Sequence, residues 1–402
     1  MTDKYAELKR QGLFLRSSPE FYKTDWVGDT STGEVTSTSS AAYITHLRNP
    51  DSKASFYIVR NSDATSAFVP LLCVVTDLNL TWVLTYRDFI NFNFNVTTSE
   101  GDVQIPQVTP SITIGGRQSK VIVVDYAFGS SRVLYSTAQV FFAGMPACTS
   151  HASHHPERMS GRIGGRDVLF LYGDSSQAHE AVIALKGRPR IQVESAYVGK
   201  TLIVKGHTLV TFLPGIEGLI TVWDSDQQLV VFSDTDTTKA FWAPIIPAAD
   251  PLNDLRNYFQ FGSNESVLVG GPYLVRSARI LGSTLALQGD LEKGVRLIVI
   301  GPSFVQSITW NGQIVVLDSA AQSTLTSQGG FVGDVHTRSI VTGIHVPRLG
   351  NWRYANSLPE ISPDFSDTDW TVANHSTTNI PYPPHYGDGR ILYGCDYGLC
   401  GF

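Results

Sequence analysis

Asp167-Val168-Leu169-Phe170-Leu171-Tyr172 is the stretch that decides the fold class. It is short, built from β-branched, aliphatic and aromatic residues, and closed by Gly173-Asp174. That is the composition of a strand bounded by turn formers. Upstream, Ala54-Ser55-Phe56-Tyr57-Ile58-Val59-Arg60 and Val121-Ile122-Val123-Val124 repeat it. Downstream, Thr201-Leu202-Ile203-Val204, Leu219-Ile220-Thr221-Val222-Trp223 and Leu229-Val230-Val231-Phe232 do the same. Strands recurring every ~10 residues with no helical segment between them predict an all-β chain of successive antiparallel β-sandwich domains, and no parallel α/β sheet.

The helical period appears only at the start. Tyr5, Leu8, Gly12 and Leu15 fall on one face, which predicts the buried side, with Lys4, Glu7 and Arg10 outward. Ser18-Pro19 ends this helix, because the residue before proline is pushed out of the helical region. One short helix buries too little to be a domain by itself. Ala243-Pro244-Ile245-Ile246-Pro247 followed by Ala248-Ala249-Asp250-Pro251 reads as a connector, and a second strand block starts at Tyr273. Within that block Asn311-Gly312 supplies the positive φ angles of a two-residue hairpin between Ile308-Thr309-Trp310 and Gln313-Ile314-Val315-Val316. From about Val346 the composition shifts toward Trp, Asp, Asn and Pro.

Composition narrows the function classes. The 402 residues suffice for two or three domains, and 16 % charged against 11 % aromatic, with 35 Gly and 20 Pro, excludes a coiled coil, a helical array or a disordered tail. A net charge of −6 offers no basic field for a phosphate backbone, so no nucleic-acid partner is expected. The most apolar stretch, Ala67 to Phe94, is interrupted by Asp77, Arg87 and Asp88, so no membrane span is expected. Met1-Thr2-Asp3-Lys4-Tyr5 leads into an amphipathic pattern and opens no secretory signal. Cys73, Cys148, Cys395 and Cys400 are too few for a disulfide scaffold in a chain of this length.

Motifs for chemistry are sparse. Val198-Gly199-Lys200-Thr201 resembles the end of a phosphate-binding loop, but Glu194 occupies the place of its leading glycine and a strand follows where a helix is needed. No GxSxG elbow occurs. Cys148-x-x-His151-x-x-His154-His155 gathers four possible metal ligands, but structural zinc sites join two pairs from separate elements and no second pair is evident. It reads as a solvated loop, and neither metal nor cofactor is expected. Glu180, Glu194, Glu217, Glu265, Glu292 and Glu360 sit in turn-like or edge contexts and read as solvated acids, not as the paired carboxylates of a glycosidase. Trp82, Trp223, Trp242, Trp310, Trp352 and Trp370 read as core or edge plugs, with a sugar-stacking platform as the alternative. Asn79, Asn95, Asn264 and Asn374 head N-glycosylation sequons.

Several segments together resemble the fungal β-galactosidases of glycoside hydrolase family 35. Lys4-Tyr5-Ala6-Glu7-Leu8-Lys9 with Phe14-Leu15 is similar to the close of that family's catalytic barrel. Phe56-Tyr57-Ile58-Val59-Arg60-Asn61, Val103-Gln104-Ile105-Pro106-Gln107, Gly116-Arg117-Gln118-Ser119-Lys120, Leu134-Tyr135-Ser136-Thr137-Ala138 and Val168-Leu169-Phe170-Leu171-Tyr172-Gly173 resemble its second domain. Tyr273-Leu274-Val275-Arg276-Ser277-Ala278 resembles the entry to the third. Trp352, Leu358-Pro359-Glu360 and Asp364-Phe365-Ser366-Asp367-Thr368-Asp369-Trp370 resemble the start of a galactose-binding-like jelly roll.

The resemblance implies a terminal barrel helix (1–17), a domain-2-like sandwich (18–272), a domain-3-like sandwich (273–345) and a truncated jelly roll (346–402). It implies hydrolysis of terminal β-D-galactose from a β-galactoside or galactan by the intact enzyme, in an extracellular setting. It places both catalytic glutamates in a barrel that would precede Met1, so no catalytic residue is expected here and the chain alone should be inactive. Segments 67–91 and 143–160 read as insertions, of the kind that retained introns would leave. A stand-alone carbohydrate-binding or structural sandwich is the alternative. Whether Cys395 and Cys400 pair is left open.

Overall fold

The computed structural model describes residues 2–62, 69–73, 82–86, 89–115, 118–144, 166–189, 196–202, 206–244, 246, 267–302, 304–318, 330–337, 362–366 and 368–369. Within it the chain divides into a unit of residues 1–338 and one of residues 339–402. The first unit is a stack of sheets with one helix of length, α1 (Asp3–Ser17), and a single-turn helix, α2 (Thr235–Lys239). No helix among the described residues is long and apolar enough to cross a membrane.

The largest sheet has eight strands, in the order Asp25–Asp29, Ala42–Arg48, Ser55–Asn61, Ser119–Phe128, Ser131–Ser136, His179–Ile183, Thr208–Phe212 and Val198–Leu202. The Val198-Gly199-Lys200-Thr201 stretch is thus part of an edge strand. A middle sheet follows, ordered Gln139–Gly144, Asp167–Gly173, Gln228–Asp234 and Leu219–Asp224. A third begins at Phe241–Trp242 and continues through Leu268–Gly270, Val295–Ile300 and Gly330–Val335. A fourth holds Leu274–Leu281, Thr284–Asp290, Ser307–Trp310 and Gln313–Ile314.

Four apolar clusters show how these sheets are layered. Phe92, Phe94, Ile105 and Ile112, from two short two-stranded pairs, cover one face of the large sheet through Ile44, Val59 and Val124. Its other face meets the middle sheet through Phe56, Val123, Leu169, Leu171 and Phe232. The middle sheet turns its opposite face, with Phe141, Phe170 and Val231, onto Phe241, Leu268 and Ile300 of the third. Val269, Leu297, Leu285 and Ile308 close the third against the fourth. The middle sheet is therefore covered on both sides, and its central strands Asp167–Gly173 and Gln228–Asp234 are buried at every position. Such strands read as continuous apolar runs because neither face meets water.

Two findings differ from expectation. Asp167–Gly173 runs parallel to Gln228–Asp234, and Thr284–Asp290 parallel to Ser307–Trp310, within sheets whose other pairings are antiparallel. Each parallel pair needs a long return connection, which local composition does not reveal. Helix α1 also buries a different face: Ala6, Arg10, Phe14 and Ser17 are buried, while Tyr5 and Leu8 stand 48 % and 66 % exposed. The buried face packs Phe14 against Phe21 and Phe56 and docks Arg10 beside it. The Asn311-Gly312 hairpin forms as expected, with φ of +48° and +81° at the two turn residues.

Candidate functional site

The densest polar chemistry lies where α1 crosses the junction of the large and middle sheets. Thr2 caps the helix, its hydroxyl accepting from the Tyr5 amide at 3.3 Å. Three cations of α1 then reach the chain that leaves the middle sheet. Arg10 Nη1 donates to the Thr235 carbonyl at 2.9 Å, Lys9 Nζ to the Lys239 carbonyl, and Arg16 Nη2 to the Ala243 carbonyl. Lys9 Nζ also sits 4.0 Å from the centroid of the Trp242 ring. Burial, with the Arg10 charge beside it, pushes the Lys9 amine down to about 8. The helix thus ties itself to residues 235–243, which connect the second sheet to the third.

Under the helix lies a cleft of about 390 Å³. Glu7, Arg10 and Gln11 of α1 line it together with Lys120, His179 and Asp174 from the sheets. Lys120 is 2 % exposed, and its ammonium donates to the Thr113 carbonyl at 2.7 Å and to Gln177 Oε1 at 2.5 Å. Burial lowers its pKa to about 8. His179 is likewise buried; desolvation, and then the Lys120 charge, push it down to about 3, so it is a neutral imidazole. Its Nε2 lies 3.2 Å from the Asp174 carbonyl, which assigns the proton to that nitrogen. Gly173 is required beside it, since a Cβ there would stand 2.2 Å from Nε2. Nothing in the sequence singled out this constellation. Its members come from α1, α2 and several strands, and only the chain fold brings them together.

Glu180 was expected to be a solvated acid and is not. It is fully buried and accepts from the backbone amides of Gln107, Val108 and Thr109 and from the Tyr135 hydroxyl at 2.7 Å. It fastens the turn after Pro106 to the large sheet. Its donors lie 45 to 73 residues away, so no local pattern could signal this role. Glu217 and Glu292 are exposed. Trp310 is buried; Trp223 and Trp242 are half-buried, their indole N–H groups donating to the carbonyls of Lys186 and Pro272. Among the described tryptophans Trp26, on an edge strand, is 57 % exposed. Asn95 and Thr97 are both exposed on one strand.

No cluster that could hold a metal ion occurs among the described residues. Cys148, His151, His154 and His155 lie outside them, as do Asn79, Asn264, Asn374, Glu194, Glu265, Glu360, Trp352, Trp370, Cys395, Cys400 and the side chains of Cys73 and Trp82.

Comparison with known proteins adds the family context. A model described as β-galactosidase, domain 2, matches residues 84–144, and one described as β-galactosidase, domain 3, matches residues 242–326. The first match opens inside segment 67–91, which the sequence reading set apart as an insertion. The chain is 30 % identical over 401 residues to a probable β-galactosidase B of Sclerotinia sclerotiorum, covering 99 % of this chain and 34 % of the relative. It is 31 % identical over 406 residues to a probable β-galactosidase B of Emericella nidulans, covering 98 % and 33 %. A probable β-galactosidase C of Aspergillus oryzae is 31 % identical over 402 residues, with 98 % and 34 % covered. The chain spans about a third of the length of these curated relatives.

Proposed function

Because this chain belongs to the β-galactosidase family, carrying stretches of that family's second and third domains, we propose that it is the non-catalytic β scaffold of a family 35 β-galactosidase. In that reading the catalytic barrel supplies both carboxylates for removal of terminal β-D-galactose by the retaining route. The observation that carries it is the double-sided character of α1. One face is fixed to the sheets through Arg10 and Phe14, while the other presents Tyr5 and Leu8 to solvent. A helix with apolar side chains on its free face is built to be covered from that side as well. The described glutamates fit the same view, since Glu180 is occupied by four protein donors and Glu217 and Glu292 stand exposed.

The purified chain is expected to release no chromophore from a nitrophenyl β-galactoside above a buffer blank; sustained turnover would overturn the scaffold reading. An extracellular setting with glycan on Asn95 belongs to the same proposal, supported by the exposure of Asn95 and Thr97. It predicts a mass decrease at the Asn95 peptide when protein from a secreting host is deglycosylated.

A further inference from the structure

Lys120 and Gln177 are buried together where two sheets meet, and the scaffold role uses neither. We propose that they are an isopeptide pair, in which the Lys120 amine displaces ammonia from the Gln177 side-chain amide and joins the two residues covalently.

Geometry is the first argument. Lys120 Nζ lies 2.5 Å from Gln177 Oε1. The C=O bond adds about 1.23 Å, so Nζ stands within about 3.7 Å of the amide carbon, near the roughly 3–3.5 Å of reacting atoms. Both side chains are fixed there. Lys120 is 2 % exposed and Gln177 5 %. The Lys120 ammonium also donates to the Thr113 carbonyl at 2.7 Å, and the Gln177 amide N–H donates to the Asp174 carbonyl at 3.0 Å, closing the turn that carries it. A primary amide is a poor acyl donor, and an amine held against it is spared the bimolecular encounter that makes such a reaction slow.

The two reacting groups are the second argument. Gln177 Nε2 is buried and has no hydrogen-bond partner among the described residues, so nothing there holds the leaving nitrogen in place. Both acceptors of the Lys120 ammonium are neutral oxygens, and burial brings its pKa down to about 8, which supplies neutral amine. The groups around it are Asp174 and His179 from the sheets, with Glu7 and Arg10 of α1 across the cleft. His179 is neutral, and the charge of Asp174 favours the ammonium without offsetting burial.

The step balances without a co-reactant. Neutral Nζ attacks Cδ of Gln177, the Nζ–Cδ bond forms and the Cδ–Nε2 bond breaks. One Nζ proton passes to Nε2, which leaves as ammonia by way of the cleft that Lys120 lines. Nothing is oxidised or reduced. The freshly folded chain carries the free amine, and the bond accumulates on standing. It ties the strand Ser119–Phe128 of the large sheet to the turn that enters that sheet from the middle one, across 57 residues of chain. It also removes a buried charge. The inference goes beyond the scaffold reading and does not rest on it.

The test uses the full chain, folded at about pH 6 and then held at values up to about pH 9, with tryptic peptides read by mass spectrometry. A branched peptide joining Lys120 to Gln177 should accumulate, lighter than its two parts by one ammonia and uncut after Lys120. Its rate should rise about tenfold per pH unit up to about 8 and level off above, following the neutral amine. The chain unfolded in guanidinium chloride should form it at least about a hundredfold more slowly. Gln177→Glu, of the same shape, offers a carboxylate that an amine does not displace, and should form none. No branched peptide from the folded wild-type chain at about pH 9, an equal rate in the unfolded chain, or Lys120 linked as fast to another residue in Gln177→Glu would each overturn the inference. The first and second readouts need no variant, and β-galactoside turnover is read separately.

Discussion

Glu180 and Lys120 are two buried charges two strands apart in the same large sheet, and they are treated in opposite ways. Glu180 is closed in by four donors, three of them consecutive amides of one turn. Lys120 has two neutral acceptors and a cavity beside it, and burial lowers its pKa to about 8. A buried charge whose hydrogen bonds are complete fastens the structure, because removing it strands its partners. One that is left incomplete costs stability, and the cost makes sense where something else completes the shell.

The comparison is broken most readily at Glu180. Glu180→Ala leaves three backbone amides and the Tyr135 hydroxyl without an acceptor, so a loss of about 3–5 kcal/mol is expected in urea unfolding. An unchanged midpoint would show that water replaces the carboxylate at no cost.

Lys120 is tested through pH. Its amine titrates near 8 in the folded protein and near 10.5 when unfolded. Between these values the unfolded chain binds more protons, so stability rises with pH; below about 8 the whole cost of the buried charge is present. Relative to Lys120→Met, the wild-type chain should gain on the order of 2–3 kcal/mol between pH 8 and 10.5. His179 and Asp174, its titrating neighbours, are common to both proteins and cancel in that difference. A difference that stays flat across the window would mean that the ammonium is better solvated than the geometry implies.

A smaller effect sets the scale for both. The exposed Arg276–Asp290 pair, at 2.6 Å, joins neighbouring strands of the fourth sheet. Arg276→Ala should cost no more than about 1 kcal/mol, and less at high salt. A loss approaching that of Glu180→Ala would mean that burial is not what separates the two classes of charge.

How much was legible beforehand follows the range of each interaction. Asp167–Gly173 and Gln228–Asp234 were readable as strands because burial on both faces demands apolar side chains at successive positions. Their parallel pairing was not, since the partners lie about sixty residues apart and no local pattern records it. The helix was readable from its period, but not its buried face. Tyr5 and Leu8 have the spacing of an apolar stripe, yet the face that packs carries Phe14, against Phe21 and Phe56, and Arg10, which meets the Thr235 carbonyl 225 residues away.

What the amino-acid sequence determined by itself is whatever short-range physics dictates. That includes the strand-rich composition, the Asn311-Gly312 turn, the helical period of the first residues with its end at Ser18-Pro19, and a colinear resemblance to one family. The tertiary structure alone decided which acid is spent as a fastener, which lysine is left incomplete, and that three glutamines share one cleft. The physical reason is that desolvation and hydrogen-bond closure depend on everything packed around a group. A residue's neighbours in the chain make up only a small part of that shell.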